Sequence, residues 1–136
     1  MIDLVGKLQD YCADFDWMFS YGNKSNQNLL KSDRVVGRKY LLLDPITRTK
    51  GKSENGGEGR LTFSGQFILV VKSTIDARYE KKYEDNIEPL LQELLKLENA
   101  LDCSDYQIED WQVIDIVNAL DINTDGLLVT FKISTL

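Results

Sequence analysis

The chain has 136 residues and contains no histidine. Histidine is the commonest general base in enzymes and the commonest protein ligand of transition metals. Without it, hydrolytic mechanisms of the Ser–His and Cys–His kinds lack the group that carries the proton. The composition therefore argues against most hydrolases and against histidine-based metal centres, and we expect a protein that is not an enzyme.

Cysteine and long apolar runs are also scarce. The two cysteines, Cys12 and Cys103, lie far apart and form no Cys-x-x-Cys pair. No stretch approaches the roughly 18 apolar residues of a membrane-spanning helix. The start of the chain carries Asp3 and Asp10 and lacks the basic and apolar regions of a signal peptide. We therefore expect a cytoplasmic protein with two buried free thiols and no membrane contact.

The remaining composition is that of one folded domain. Hydrophobic residues make up 43% of the chain, which is enough for a packed core, and a chain of this length commonly folds as a single domain. Residues 47–60 contain four glycines and no apolar side chain, which is typical of a loop or of a hairpin tip. We predict one α+β domain over residues 1–136, with a mobile loop or hairpin tip at about 47–60.

Helical spacing of apolar residues occurs in two places. Ile2, Val5 and Leu8 predict a short amphipathic helix near the start of the chain. A longer apolar stripe continues from Ile87 to Leu101. Pro89 is tolerated only in the first turn of a helix or at a kink. The second helix is therefore predicted to begin between Asp85 and Glu88, after an earlier helical turn.

Strand patterns fill most of the remaining chain. "RVVGRKYLLLDPI" predicts one strand, ended by Asp44 and Pro45, and residues 60–72 alternate with period two and predict a longer one. Fully extended, the longer strand would run roughly 43 Å, whereas a compact domain of this size is roughly 37 Å across. We therefore expect a hairpin that projects past the core, unless Gly65 marks a bulge that bends the strand back.

The stretch "DINTDGLLVTFK", residues 121–132, begins like a calcium loop. Asp121, Asn123, Asp125 and Gly126 occupy suitable positions, but an EF-hand loop needs a bidentate glutamate at its twelfth position. That residue here is Lys132. Asp, Asn and Gly also favour tight turns, and the flanking residues alternate as strands do. The motif therefore predicts a turn between two strands, and we expect neither a metal nor a cofactor.

Charge is unevenly distributed along the chain, whose net charge is −6. Residues 24–60 carry nine basic and four acidic residues, whereas residues 101–136 carry seven acidic residues and one basic residue. Two patches of opposite charge can meet on neighbouring copies, although the same charges can instead mix over the folded surface. The acidic balance disfavours specific nucleic-acid binding. The candidate subunit-interface residues are Arg48, Lys50, Lys52, Arg60, Asp105, Glu109 and Asp110.

Three stretches resemble small proteins of bacteriophages and prophages: "RKYLLLDPI", "GQFILVVKSTIDARYEKKYEDNIEPLLQELL" and "VIDIVNALDINTDGLLVTFKI". The order of helix, strand, long strand, helix and hairpin is similar to that of phage tail-terminator (tail-completion) proteins, and the resemblance covers residues 36–135. The resemblance implies an α+β fold in which an antiparallel sheet with long hairpin strands packs against two main helices. It carries no catalytic residues to this chain.

The function that this resemblance implies is structural. Tail terminators form a ring, commonly of six copies, that caps the tail tube and joins it to the head connector. The implied partners are further copies of the chain and the tail tube or connector proteins, first in the bacterial host cytoplasm and then in the virion. Two alternatives stay open. One is another head–tail connector or neck component, and the other is a small host-protein-binding module that would use an exposed Trp17–Tyr21 aromatic cluster.

Overall fold

The computed structural model describes residues 3–22, 38–51, 59–72, 83–119 and 124–135. Helix α1 spans Leu4–Asp14, and helix α2 spans Glu88–Asp102 directly after a π-helical turn at Tyr83–Ile87. The strands are β1 (Met18–Tyr21), β2 (Tyr40–Leu43), β3 (Thr47–Lys50), β4 (Leu61–Lys72), β5 (Tyr106–Ala119) and β6 (Thr124–Thr135). The fold is α+β, as the sequence predicts. Neither helix in this part of the chain is long and apolar enough to cross a membrane.

The strands form one sheet in the order β1-β2-β4-β6-β5, with β3 also paired to β4. Strands β2 and β3 share the side of β4 that faces away from β6, because β2 pairs with Phe67–Val70 and β3 pairs with Leu61–Ser64. All pairs are antiparallel except that of β1 with β2, which is parallel. The expected antiparallel sheet is therefore present, and β1 is its one exception among the described strands.

Strands β4 and β6 lie at the centre and pair without interruption from Thr62 opposite Ser134 to Lys72 opposite Thr124. The expectation of a hairpin that projects past the core is wrong, because β4 has neighbours along its length and Phe63 near its start is fully buried. Strand β3 does make a hairpin with β4. The connection at 52–58 lies outside the described residues.

Gly65 does not mark a bulge, since β4 keeps its register with β6 there. A Cβ atom at Gly65 would lie 3.0 Å from Cγ2 of Ile46. Ile46 belongs to the short segment that leads from β2 to β3. The glycine therefore makes room for a chain segment that crosses close to β4.

Helix α1 begins at an N-cap that the sequence supplies. An Oδ2 atom of Asp3 accepts a hydrogen bond from the backbone N–H of Val5 at 3.2 Å, which satisfies one of the unpaired amides at a helix start. Leu4, Leu8 and Cys12 follow at intervals of four residues and are buried. The helix therefore presents a single apolar stripe to the sheet.

Helix α2 has Pro89 in its first turn, as the sequence predicts. Its buried residues are Leu90, Leu94, Leu97 and Leu101. They pack with the stripe of α1 and with the sheet residues Phe67, Leu69, Val129 and Phe131 in one apolar cluster. We call the side of the sheet that carries these residues the first face, and the opposite side the second face. The hydrophobic core thus lies between the first face and both helices.

The two thiols differ in their environments. Cys12 is buried in the core, and burial raises its pKa to about 12. Cys103 is exposed at the end of α2, so the expectation that both thiols are buried is wrong for this residue. Its position follows from the turn after α2, where the chain leaves the core and enters β5.

Gly126 lies in a central strand and should be difficult to replace. A Cβ atom there would lie 2.5 Å from Cγ1 of Val70 and 2.6 Å from the backbone oxygen of Leu69. Because the backbone of a central strand cannot move aside cheaply, Gly126→Ala should lower the free energy of unfolding by about 1–3 kcal/mol. Gly51→Ala is the matched control, since its nearest contact would be an ordinary 3.5 Å. Thermal and chemical denaturation compare the two, and equal stabilities would contradict the close approach.

Candidate assembly surface

The second face of the sheet carries two rows of mainly apolar residues. Residues that are register partners on adjacent strands share a face and lie side by side. One row is Ile114–Leu128–Ile68–Leu42, which ends at Ser20 on β1. The other row is Ile116–Gly126–Val70–Tyr40, which ends at Met18. We call these the apolar rows, and they cross the sheet from one edge strand to the other.

Burial changes along the apolar rows. Tyr40, Leu42 and Val70 are at most 1% exposed and form a small cluster of their own. Ile114, at the other end of the first row, is 48% exposed. The rows are therefore covered near β2 and open towards β5.

Strands β1 and β5 are the two ends of the sheet path, and both carry an exposed apolar side chain. Among the described residues, the exposed large hydrophobic side chains are Tyr21, Tyr83, Leu95 and Ile114. Tyr21 shares a row with Val113, the residue before Ile114. Two of the four exposed residues thus lie on opposite edges of the sheet in adjacent rows, Ile114 on the second face and Tyr21 on the first.

Strand β5 is an edge strand of 14 residues with irregular register at two points. The register with β6 shifts between Ile108 and Asp110, and again between Ile116 and Ala119. Bulges and charged side chains are the usual means by which proteins keep an exposed edge from pairing indiscriminately. The segment between the shifts is regular and carries the open end of the apolar rows.

Arg60 and Glu109, both candidate subunit-interface residues, contact each other within one chain. Nη1 of Arg60 lies 3.4 Å from Oε1 of Glu109. The same guanidinium donates to Gln107 at 2.7 Å and to the backbone oxygen of Thr135 at 3.0 Å. Lys132 also lies within 3.8 Å of Glu109. The basic and acidic segments therefore mix at this corner of the sheet, because β4 and β5 both flank β6.

Arg48, on β3, is held by the N-cap of α1. Its Nε and Nη2 atoms donate to the two carboxylate oxygens of Asp3 at 3.0 and 2.8 Å. The hydrogen bond from Arg48 lowers the pKa of Asp3, while partial burial opposes this effect. The contact holds the N-terminal end of α1 against β3, the outer strand of the hairpin.

The other predicted interface residues have no such contacts. Lys50, Asp105 and Asp110 are exposed, and no ion pair within the described ranges involves them. Lys50 lies at the end of β3, and Asp110 lies on β5 directly after the first register shift. Lys52 lies outside the described residues. The structure therefore leaves one basic and two acidic candidates available to a partner.

The Trp17–Tyr21 segment does not form an exposed aromatic cluster. Trp17 is 5% exposed and belongs to the core, with its Nε1 atom 3.3 Å from a carboxylate oxygen of Glu93. Its ring also packs against Phe15, with centroids 5.1 Å apart. Of Trp17 and Tyr21, only Tyr21 is exposed.

Most of the suspected calcium loop, residues 124–132, belongs to β6, so Asp125 and Gly126 lie in a strand, and the predicted turn at 121–123 lies outside the described residues. Asp121 and Asn123 lie outside the described residues. Asp125 is fully buried and accepts a hydrogen bond from Nδ2 of Asn86 at 2.8 Å. This carboxylate therefore ties the start of β6 to the π-helical turn before α2. Within the described ranges, no group of three or more aspartate, glutamate or cysteine side chains could hold a metal ion.

Comparison of the chain with protein-family models, with curated proteins and with solved structures gives no match. The geometry of the sheet is therefore the basis for assigning a function. The apolar rows could not be read from the sequence, because they combine residues from five strands whose order and register the sequence does not state. The sequence indicated only the alternation of apolar and polar residues within β5 and β6.

The Asp3–Arg48 pair should contribute little stability, and only while Asp3 is charged. Asp3→Asn keeps an N-cap side chain but removes the charge, so it should cost less than about 1 kcal/mol near neutral pH. A carboxyl group whose pKa is lowered by folding stabilises the protein above its unfolded pKa and loses this effect as the pH falls. The difference from the native chain should therefore shrink as the pH falls below about 4, the ordinary pKa of aspartate, and vanish below the lowered pKa of Asp3 in the folded protein.

Urea denaturation at several pH values measures this difference. Asp10→Asn is the matched control, since Asp10 lies on the same helix, is exposed and takes part in no ion pair within the described residues. If Asp3→Asn remains less stable than the native chain by the same amount at low pH, the substitution has weakened the N-cap and not the ion pair.

Proposed function

We propose that the protein is a non-enzymatic assembly subunit of a phage or prophage virion. Its copies associate with one another through the edges of the sheet and form a ring. The ring lies at the end of the tail tube and joins the tube to the head connector. This is the function of a tail terminator, or tail-completion protein.

The observation that carries the proposal is the open end of the apolar rows at β5. Exposed apolar residues scattered singly need no explanation, but an apolar strip that reaches an unpaired sheet edge is typical of an interaction surface. Ile114 is 48% exposed at that edge, and Leu128 beside it is half-buried. A protein partner that covers β5 would bury both.

Support for the phage context comes from the sequence. The resemblance of the three stretches to phage proteins covers most of the chain, and the described elements include the two helices and the long hairpin strands that such a protein requires. A connector or neck component would use the same surface and would differ in its partner. The host-binding alternative requires an exposed aromatic cluster at Trp17–Tyr21. Because Trp17 is buried, this alternative loses its specific support.

Self-association should depend on Ile114. Burying an isoleucine side chain contributes about 1.5–3 kcal/mol, so Ile114→Glu should weaken association at least about tenfold. Leu95→Glu is the matched control, since Leu95 is equally exposed at 48% but lies on α2 and not on a strand. Sedimentation velocity over a concentration series, with electron microscopy of the native protein, measures the oligomers and shows rings. A native chain that stays monomeric at high concentration in both low and high salt would overturn the proposal.

A further inference from the structure

The two edges of the sheet match each other in position along the strands. Ile114 and Ser20 end the same row, and Ile116 and Met18 end the next one. If one copy is rotated about an axis parallel to the strands, each row keeps its position. The β5 edge of one copy would then meet the β1 edge of the next copy with the apolar rows aligned.

The strand directions also agree. Strand β5 is antiparallel to β6, β6 to β4 and β4 to β2, whereas β1 is parallel to β2. Strand β1 therefore runs opposite to β5. The same rotation preserves both directions, so β5 and the β1 strand of the next copy would form an antiparallel pair. Antiparallel strands pair well without a crossover between them.

Charge favours this arrangement over a symmetric pairing of two β5 strands. If two copies of β5 paired over their full length, Tyr106 would lie opposite Ala119 and Asp110 would lie opposite Asp115. Like charges directly opposite each other are destabilising. Strand β1, "MFSY", carries no charge at all. It is therefore an edge that β5 can accept without this repulsion.

Strand β3 supplies a second contact. On the side of the sheet away from β5, β1 lies one strand further out than β3, since β2 and β3 both pair with β4. When β5 pairs with a neighbouring β1, the neighbouring β3 would stand two strand spacings from β5, with one strand position empty between them, at a separation of roughly 10 Å. Extended lysine or arginine side chains can bridge such a gap to a carboxylate.

The charges at this gap are complementary. Arg48 shares a row with Ile108, and Thr47 shares a row with Asp110. Arg48 thus lies level with the residue before Glu109, where the register of β5 first shifts. Lys50 pairs with Leu61, whose N–H donates to the Thr135 side chain, and Thr135 pairs with Tyr106, the residue after Asp105. Lys50 and Asp105, which are exposed and take part in no ion pair within the described residues, would therefore approach each other across the gap.

We propose that neighbouring copies join head to tail, with the Val113–Ile116 part of β5 paired to β1 of the next copy. This proposal rests on the proposed self-assembly and specifies its interface. Tyr21 of one copy would cover Val113 of the other, and Ile114 would lie beside Ser20. Glu109 would approach Arg48, and Asp105 would approach Lys50, across the gap. Such an interface uses two different surfaces of each copy and can close into a ring.

Disulfide trapping tests this interface. Ser20→Cys and Ile114→Cys are combined in a Cys103→Ser background, which leaves only the buried Cys12. Within one copy these positions are four strand spacings apart, about 19 Å, whereas a disulfide needs Cα atoms within about 7 Å. Any disulfide between them must therefore join two copies. Under mild oxidation we expect a ladder of covalent dimers, trimers and larger species on a non-reducing gel.

The single-cysteine variants are the controls. Neither Ser20→Cys nor Ile114→Cys alone should form covalent species, but a mixture of the two should form dimers only. Circular dichroism confirms that each variant is folded. Covalent dimers from Ile114→Cys alone would overturn the head-to-tail interface in favour of a symmetric one. A native protein that sediments as an oligomer while the double variant gives no ladder would overturn the interface but not the proposed function.

Charge reversal tests the second contact independently. Lys50→Glu and Asp105→Lys should each weaken self-association about threefold to fivefold, which is typical of exposed pairs. Combining them should restore association to near the native level. Two single losses that simply add in the double variant would overturn the pairing of these strands across the gap.

Discussion

The pairing of β4 with β6 is the constraint on which the rest of the structure depends. Eleven consecutive register pairs join the two strands. Because each strand has a second neighbour, their pairing fixes the positions of β2 and β3 on one side and β5 on the other. Their first-face residues, among them Phe67 and Phe131, form the surface on which both helices pack. Gly126 permits this pairing by leaving out the one side-chain atom that would strike the backbone of β4.

Much of the fold could be predicted from the sequence, because the long elements carry strong periodicity. Both helices, the first-turn position of Pro89 and the long strands β4, β5 and β6 follow from it. Strand β3, "TRTK", has no apolar residue and is fully exposed, so its extended form comes from β4 rather than from its own side chains. Strand β1 has a parallel partner far along the chain, which local pattern cannot indicate. The mistaken projecting hairpin came from judging the length of β4 without its neighbours.

The candidate surface was predicted less well, because charge along a chain does not determine charge across a sheet. Arg60 and Glu109 belong to segments of opposite charge, yet they meet because β4 and β5 both flank β6. Arg48 is bound by Asp3, a residue that the segment count assigned to neither patch. Lys50, Asp105 and Asp110 remain available. The apolar rows depend on register across five strands, and register is information that only the folded sheet contains.

The acidic residues of β5 have two consequences that reinforce each other. Charge on an edge strand hinders pairing with an identical strand, which protects a free sheet edge from indiscriminate association. The same charge does not hinder pairing with the uncharged β1, and it attracts the basic β3 beside it. The β5 edge is then specific for two reasons: it repels an identical strand, and it pairs with β1 while attracting β3. Neighbouring strands rotate by roughly 20–25°, so a sheet continued from copy to copy must turn. Whether it closes depends on the angle between copies, and contacts at both β1 and β3 fix that angle better than one strand edge alone.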